Sequence, residues 1–423
     1  MSYILDDSVT LDHTAQITAF NRLRVSDARL LGEYRYMYGS GTTVEVVDKT
    51  LGTGILVKDQ PRNCYLAQVG TDSGALAIRQ TRQYHPYITG TSNIGMLTFT
   101  MSPAKTGLQQ SVGMFDDDNG FIFRVRDNVA ELVIRKSGVD NEVVPQSQWN
   151  GDRFDGTKSK FNASGVLADW SKSQILIIDY QWLGIGKVRF CFYHGDDIIV
   201  AHTFYHANSV TEVYTNNASF PCRWEIKNTG TTASPSQLMV ICAAVYSEGS
   251  DFETGFSRSV STDGTIINVT AANAVNGKGV LAVRMKNILE GKPCHAFARL
   301  KKYSVYATAD INYKIVILPG MSAISNTPTW SDVPGYGWCE YIKDFTLNPA
   351  WAAGEDFQVI CDDFAIGGQG NNSTAFTGSN IDNRSSSIFQ NYDATDSQIL
   401  AIVAYRLTTD SAVKASLSWN EIK

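Results

Sequence analysis

Charge is scarce in this sequence. Lys, Arg, Asp and Glu make up 18% of the residues, below the roughly 25% of an average soluble globular protein. The shortage is greater on the basic side: 36 Lys and Arg against 42 Asp and Glu leave a net charge of −6, and no basic run breaks the pattern. A nucleic-acid or anionic-membrane surface needs a basic footprint, so neither partner is expected. Long apolar runs are also missing. The longest, near Ile399 to Tyr405, falls far short of the ~20 residues that cross a bilayer. The opening MSYILDDSVTLDH carries acid where a secretory signal would carry Lys or Arg, so neither membrane insertion nor export by that route is expected. The seven cysteines include no Cys-x-x-Cys pair; in stretches such as VRFCFY they read as small buried hydrophobes of a protein folded under reducing conditions. There is no helical stripe of period 3.6, no heptad and no fixed-length repeat, which excludes a helical bundle, a coiled coil or a long shaft.

What is present is period-two apolar alternation throughout 423 residues, a length that implies two or three cores. Strands are predicted over 97–101, 111–115, 121–126, 131–136, 174–182, 187–193, 198–204 and 238–246, separated by Gly, Asn, Asp and Ser clusters. The clearest turn is Asn119-Gly120, inside SVGMFDDDNGFIFRVRD. A polar, Gly/Ser-rich stretch at 247–265 marks a domain boundary. A second β block follows, with strands at 265–270, 279–285, 295–307, 312–318, 356–364, 399–406 and 414–419. The stretch 367–387, poor in aliphatics, reads as a long exposed loop where partners or ligands are met. The expected architecture is all-β: an extended N-terminal arm over 1–40, a lectin-like sandwich over 41–250 and a second sandwich over 251–423. Aromatic residues reach 11%. With so little charge, that fits a subunit with extensive interfaces, although a neutral Ser/Thr/Asn/Gly surface gives the same figures.

No linear motif for chemistry emerges. Asp116, Asp117, Asp118 and Asn119 resemble part of a calcium loop but lack the EF-hand ligand spacing and distal Glu, so Asp116 and Asp118 are weak metal candidates beside a plain hairpin. His194, His202 and His206 fall in HGDDIIVAHTFYH, spaced too widely along a strand to share a zinc ion unless it bends. Acid pairs such as Asp152/Asp155 or Asp362/Asp363 are plentiful, but none stands out for glycoside hydrolysis. No nucleophile elbow, phosphate loop or His-Glu-x-x-His is present, so no catalytic residue and no cofactor are expected. Most tryptophans sit in apolar patterns as core. Trp330, Trp338 and Trp351 lie in a Pro/Gly-rich region and are the candidates for stacking on sugars.

The segments AFNRLRVSDARLLGEYRYMYG (19–39), RQTRQYHPYITGTSNIGMLTF (79–99), GMFDDDNGFIF (113–123), QSQWNGDRFDGT (146–157), DWSKSQILIIDYQWLGIGKVRFCFYHGDDIIVAHTF (169–204), FPCRWEI (220–226) and SEGS (247–250) occur in this order. In that order they resemble virion structural or tail-fibre-type proteins of aquatic tailed bacteriophages and large algal viruses; ASLSWNEIK at 415–423 is the best piece of the weaker C-terminal half. WLGIGKVRFCFYHGDDIIVAHTF is also similar to two neighbouring strands of concanavalin-like sandwiches, with Gly184, Gly186 and Gly195 at the turns. The resemblance implies a jelly-roll or concanavalin-like sandwich in a particle-building protein made in the host cytoplasm. It implies a tail-associated or fibre component without catalytic residues. By analogy the chain is a homotrimer that also contacts other virion proteins. An alternative is a head-surface decoration protein; another is a receptor-recognition module that holds host surface glycans. A tailspike glycosidase or lyase would show a short regular repeat, which is missing. Arg22, Arg24, Arg29, Tyr34 and Tyr36, with Arg35 and Tyr38, make the N-terminal arm the expected assembly contact.

Overall fold

The computed structural model describes residues 28–36, 45–248, 255–325, 328–348, 358–367, 372–375, 386–391 and 395–422. These fall into two compact units. One takes 28–36, 48–81 and 85–248; the other takes 255–422 together with the short pieces 45–47 and 82–84. Each is an antiparallel sandwich, as the alternation predicts.

In the first unit one sheet runs Asp197–Phe204, Val188–His194, Gln174–Tyr180, Asn93–Thr100, Ser236–Glu248, Cys64–Val69 and Ile55–Asp59. Ser236–Glu248 is 13 residues long with alternate residues buried. Its length lets one side hold two partners in succession, Cys64–Val69 and then Ala28–Arg35. The second sheet runs Val139–Pro145, Val129–Lys136, Gly120–Arg126, Leu108–Phe115, Cys222–Asn228, Leu76–Thr81 and Val46–Leu51. Aromatic rings close the gap between the sheets: Phe99 meets Phe123 at 5.8 Å, Phe121 meets Tyr180 at 4.9 Å and Phe123 meets Phe192 at 5.1 Å between centroids. Large buried rings supply most apolar area per residue, so these are the chief apolar contribution to the sandwich.

In the second unit one sheet joins Gly255–Ser261, Ser411–Ile422 and Phe297–Ala307, with Asn372–Ala375, Ile267–Val269 and Ser387–Ile388 paired alongside. The facing sheet runs Ser331–Asp332, Cys339–Phe345, Lys278–Met285, Ile399–Arg406, Ile311–Leu318 and Gln358–Ala365. Val305, Leu417 and Trp419 from the first of these share a core with Val283, Ile315 and Ile402 from the other.

Three expectations change. The 28–35 part of the arm is a strand: its period-two pattern puts Gly32, Tyr34 and Tyr36 on the inward row, and both tyrosines are buried. The hairpin begins earlier than Asn119-Gly120. Phe115 pairs with Gly120 across a four-residue loop, and Gly120 opens the next strand at φ 134°. Finally, Gly255–Ser261 and Asn372–Ala375 are strands within stretches read as linker and loop. The expected boundary at 250 lies outside the described residues.

Candidate functional site

The face of the second sheet turned away from the first carries the densest set of ionisable groups. It arises from alternation in Cys222–Asn228: Cys222, Trp224 and Ile226 point into the sandwich, leaving Arg223, Glu225 and Lys227 on the other row. Arg223 binds Asp117 at 2.6 Å and Glu225 at 2.7 Å. Beyond Leu108–Phe115 in the same sheet, Arg124 binds Glu131 at 2.6 Å and also reaches Asp140, which Arg135 holds at 3.0 Å. The guanidiniums of Arg124 and Arg223 and the Glu225 carboxylate are almost fully buried. Burial pushes the Glu225 carboxyl up, but the positive charges of Arg223, Lys227 and Arg135 together outweigh it and hold the group below its ordinary value. Asp140 likewise ends below its ordinary value, because Arg124 and Arg135 overcome its desolvation. A general acid needs its proton held more tightly. These carboxylates are committed to arginines.

The other acid pairs are local fasteners. Asp152 accepts from Phe154 N at 3.0 Å and Ser164 N at 2.9 Å; Asp155 accepts from Thr157 N at 2.8 Å. Asp362 and Asp363 are consecutive on one strand, so their carboxyls leave opposite faces; Asp362 is bound by Lys314 at 3.2 Å. Asp116 Oδ1 accepts the N–H groups of Asp118 at 2.8 Å and Asn119 at 2.6 Å, closing the hairpin loop. Among the described residues no group of three or more His, Cys, Asp or Glu converges as metal ligands.

The histidines separate. His194 is exposed, while His202 and His206 are buried. His206 stacks on Tyr214 at 4.2 Å and meets Glu142 at 3.0 Å. His202 Nδ1 accepts the Asn150 N–H at 3.1 Å, and burial lowers its pKa to about 4.

Of the expected assembly residues, Tyr34 and Tyr36 are core side chains of the first unit: Tyr34 OH meets His85 Nε2 at 3.1 Å and the Tyr36 ring lies 5.7 Å from Tyr65. They are not surface contacts. Arg29 lies opposite Ser247 in the ladder, and Arg22 and Arg24 fall outside the described residues. Of the aromatic candidates, Trp330 lies 4.3 Å beneath the Arg284 guanidinium and Trp338 packs edge-on to Phe256 at 5.7 Å. Both are half-buried, and Trp351 lies outside the described residues. Trp170 borders a cleft of about 470 Å³ with Leu167 and Asp169, but its ring is wedged between Phe123 and Phe192 at 4.7 and 4.9 Å.

Sequence reading singled out the Pro/Gly-rich region 326–353 for its tryptophans but passed over Tyr336, in the loop between Ser331–Asp332 and Cys339–Phe345. Its tip residue Tyr336 is 97% exposed. Glu421, on the inward row of Ser411–Ile422 and fully buried, ties the loop's far end by accepting Trp338 N at 2.9 Å and Cys339 N at 3.1 Å, and it pairs with Arg258 at 3.2 Å. The polar residue at the end of SLSWNE was the available signal.

No family model and no curated protein matches the sequence. Among solved structures, the chain is similar to a protein of unknown function from Shewanella oneidensis, at 12% identity over 55% of this chain and 90% of that one, with a TM-score of 0.36. It is also similar to a legume lectin-like domain from Entamoeba histolytica (10% identity, 51% and 96% covered, TM-score 0.30) and to a beta-1,3-glucanase from Mycobacterium marinum (11%, 51% and 98%, 0.33). A lectin-like domain and a glucanase stand side by side, so the likeness does not choose between binding and hydrolysis.

Proposed function

We propose that the chain is a non-catalytic building block of a virus particle, tail-associated or fibre-like, acting through contacts with its own copies and with other particle proteins. The observation that carries this reading is apolar exposure at sheet margins. Ile55 and Val57, on the marginal strand Ile55–Asp59, are 48% and 42% exposed; Val359 and Phe364, on the marginal strand Gln358–Ala365, are 41% and 57% exposed. Both strands stand last in their sheets among the described residues, the position at which another chain most readily adds. Apolar side chains there favour a partner strand or face. The carboxylates committed to arginines support a role without acid–base chemistry, and the particle itself comes from the resemblance over 19–250. A trimer follows by analogy with that family.

The test is the native mass of the purified chain by light scattering, with detection of the protein in purified particles. A closed oligomer present in particles is the expected result. A chain that is monomeric at all concentrations and missing from particles overturns the reading.

A second reading, binding of a host saccharide, is favoured by one observation: the fully exposed aromatic tip at Tyr336.

A further inference from the structure

Tyr336 sits at φ +59°, in the left-handed region that is costly for a large side chain. Phe154 shares that backbone region but is buried, so packing compensates it; Leu183 also shares it and is about half exposed. Tyr336, at 97% exposure, gains nothing from packing. The backbone around it is built to hold the turn. Gly335 is itself at φ +84°, and a Cβ on Gly337 would come within 2.9 Å of Val333 Cβ and 3.3 Å of Glu421 Oε1. Glycine would satisfy position 336 more cheaply, so the ring is retained at a cost for something outside the chain.

Its surroundings say what kind of molecule. Phe256 is 60% exposed, standing perpendicular to Trp338 at 89°. Arg258 lies 5.9 Å from the Phe256 ring centre, and its Nη1 is 3.2 Å from where a Cβ of Gly335 would be. Arg258 gives its Nε to Glu421, leaving its terminal nitrogens without a hydrogen bond among the described residues. An exposed Phe256 ring beside a donor fork, with Tyr336 next in the chain to the Gly335 against which that fork lies, matches a pyranose, which has an apolar C–H face for a ring's negative π surface and acceptor oxygens at its edge. Charge selects among sugars. The Arg258 charge is already met by the buried Glu421, and the whole chain carries −6, so little attracts an anion.

We propose that the Tyr336 tip, with Phe256 and Arg258, binds a neutral saccharide. This rests on the second reading above and leaves the assembly reading independent.

The test is calorimetric titration of the full chain with cellohexaose, maltohexaose and laminarihexaose, and with an oligogalacturonate as the anionic arm. At least one neutral oligosaccharide should bind. Tyr336→Gly and Phe256→Ala should each weaken it about tenfold, while the thermal midpoint of Tyr336→Gly stays the same or rises because the strained backbone is relieved. A merely structural tyrosine would not lose binding while gaining stability. Failure of all three neutral sugars to bind overturns the proposal, as does binding indifferent to Tyr336→Gly. Binding of the oligogalacturonate alone overturns the neutral assignment. If Tyr336→Gly instead lowers the native mass or blocks particle incorporation and leaves sugar binding intact, the tip is a protein contact; the proposal then falls and the assembly reading stands.

Discussion

At the residue scale, charges that look abundant in the sequence are spent on one another. Arg223 and Glu225 lie buried 2.7 Å apart; removing the Glu225 charge leaves the buried guanidinium with the half-exposed Asp117 as its remaining acid, at a cost of about 1–3 kcal/mol. Glu225→Gln should therefore lower the urea-unfolding free energy by that order. Because the Glu225 carboxyl is held below its ordinary value of 4.5, its contribution is complete above that value and is lost as pH falls through the lower folded value. The wild type should lose stability in this acid range more steeply than Glu225→Gln. His202 acts higher on the scale. Its folded pKa of about 4 lies below the ordinary 6.5, so the folded chain binds fewer protons than the unfolded one, and stability falls as pH drops from 6.5 towards 4. His202→Gln, which cannot titrate, should flatten that limb in urea melts at graded pH. An unchanged slope would mean the Asn150 contact does not depend on neutral imidazole.

At the element scale, strands with clean alternation were legible to within a few residues: 121–126 is Gly120–Arg126, and 198–204 is Asp197–Phe204. The unread strands break the simple code. Leu76–Thr81 buries Arg79, Gln80 and Thr81, and Arg79 does so by stacking at 3.6 Å on the Tyr65 ring while pairing with Asp48 at 2.9 Å. Hydropathy assigns such residues to a surface, because their partners come from distant strands. The marginal strand Ile55–Asp59 carries the assembly prediction. Ile55→Lys with Val57→Lys should cost no more than about 1 kcal/mol per site, because both side chains are about half exposed. The same pair should reduce the native mass seen by light scattering. Unaltered mass would remove that strand from the interface.

At the scale of the whole molecule, each unit has its own core, so calorimetry should resolve two unfolding events. Leu417→Ala, in the core of the second unit, should cost about 2–5 kcal/mol and lower one transition alone; a shift of both would show that the units unfold together. The sequence by itself determined the all-β class, the presence of two sandwiches and most strand positions, because period-two alternation and turn chemistry are local properties of the chain. It also showed the shortage of basic charge. Only the tertiary structure decided which polar residues are buried, that Tyr34 and Tyr36 face inward, that the acids on the second sheet are matched by arginines, and that buried Glu421 fastens the loop whose tip is Tyr336. Those facts join residues up to 106 positions apart, and burial and pairing at such separations arise from packing, which no local pattern encodes.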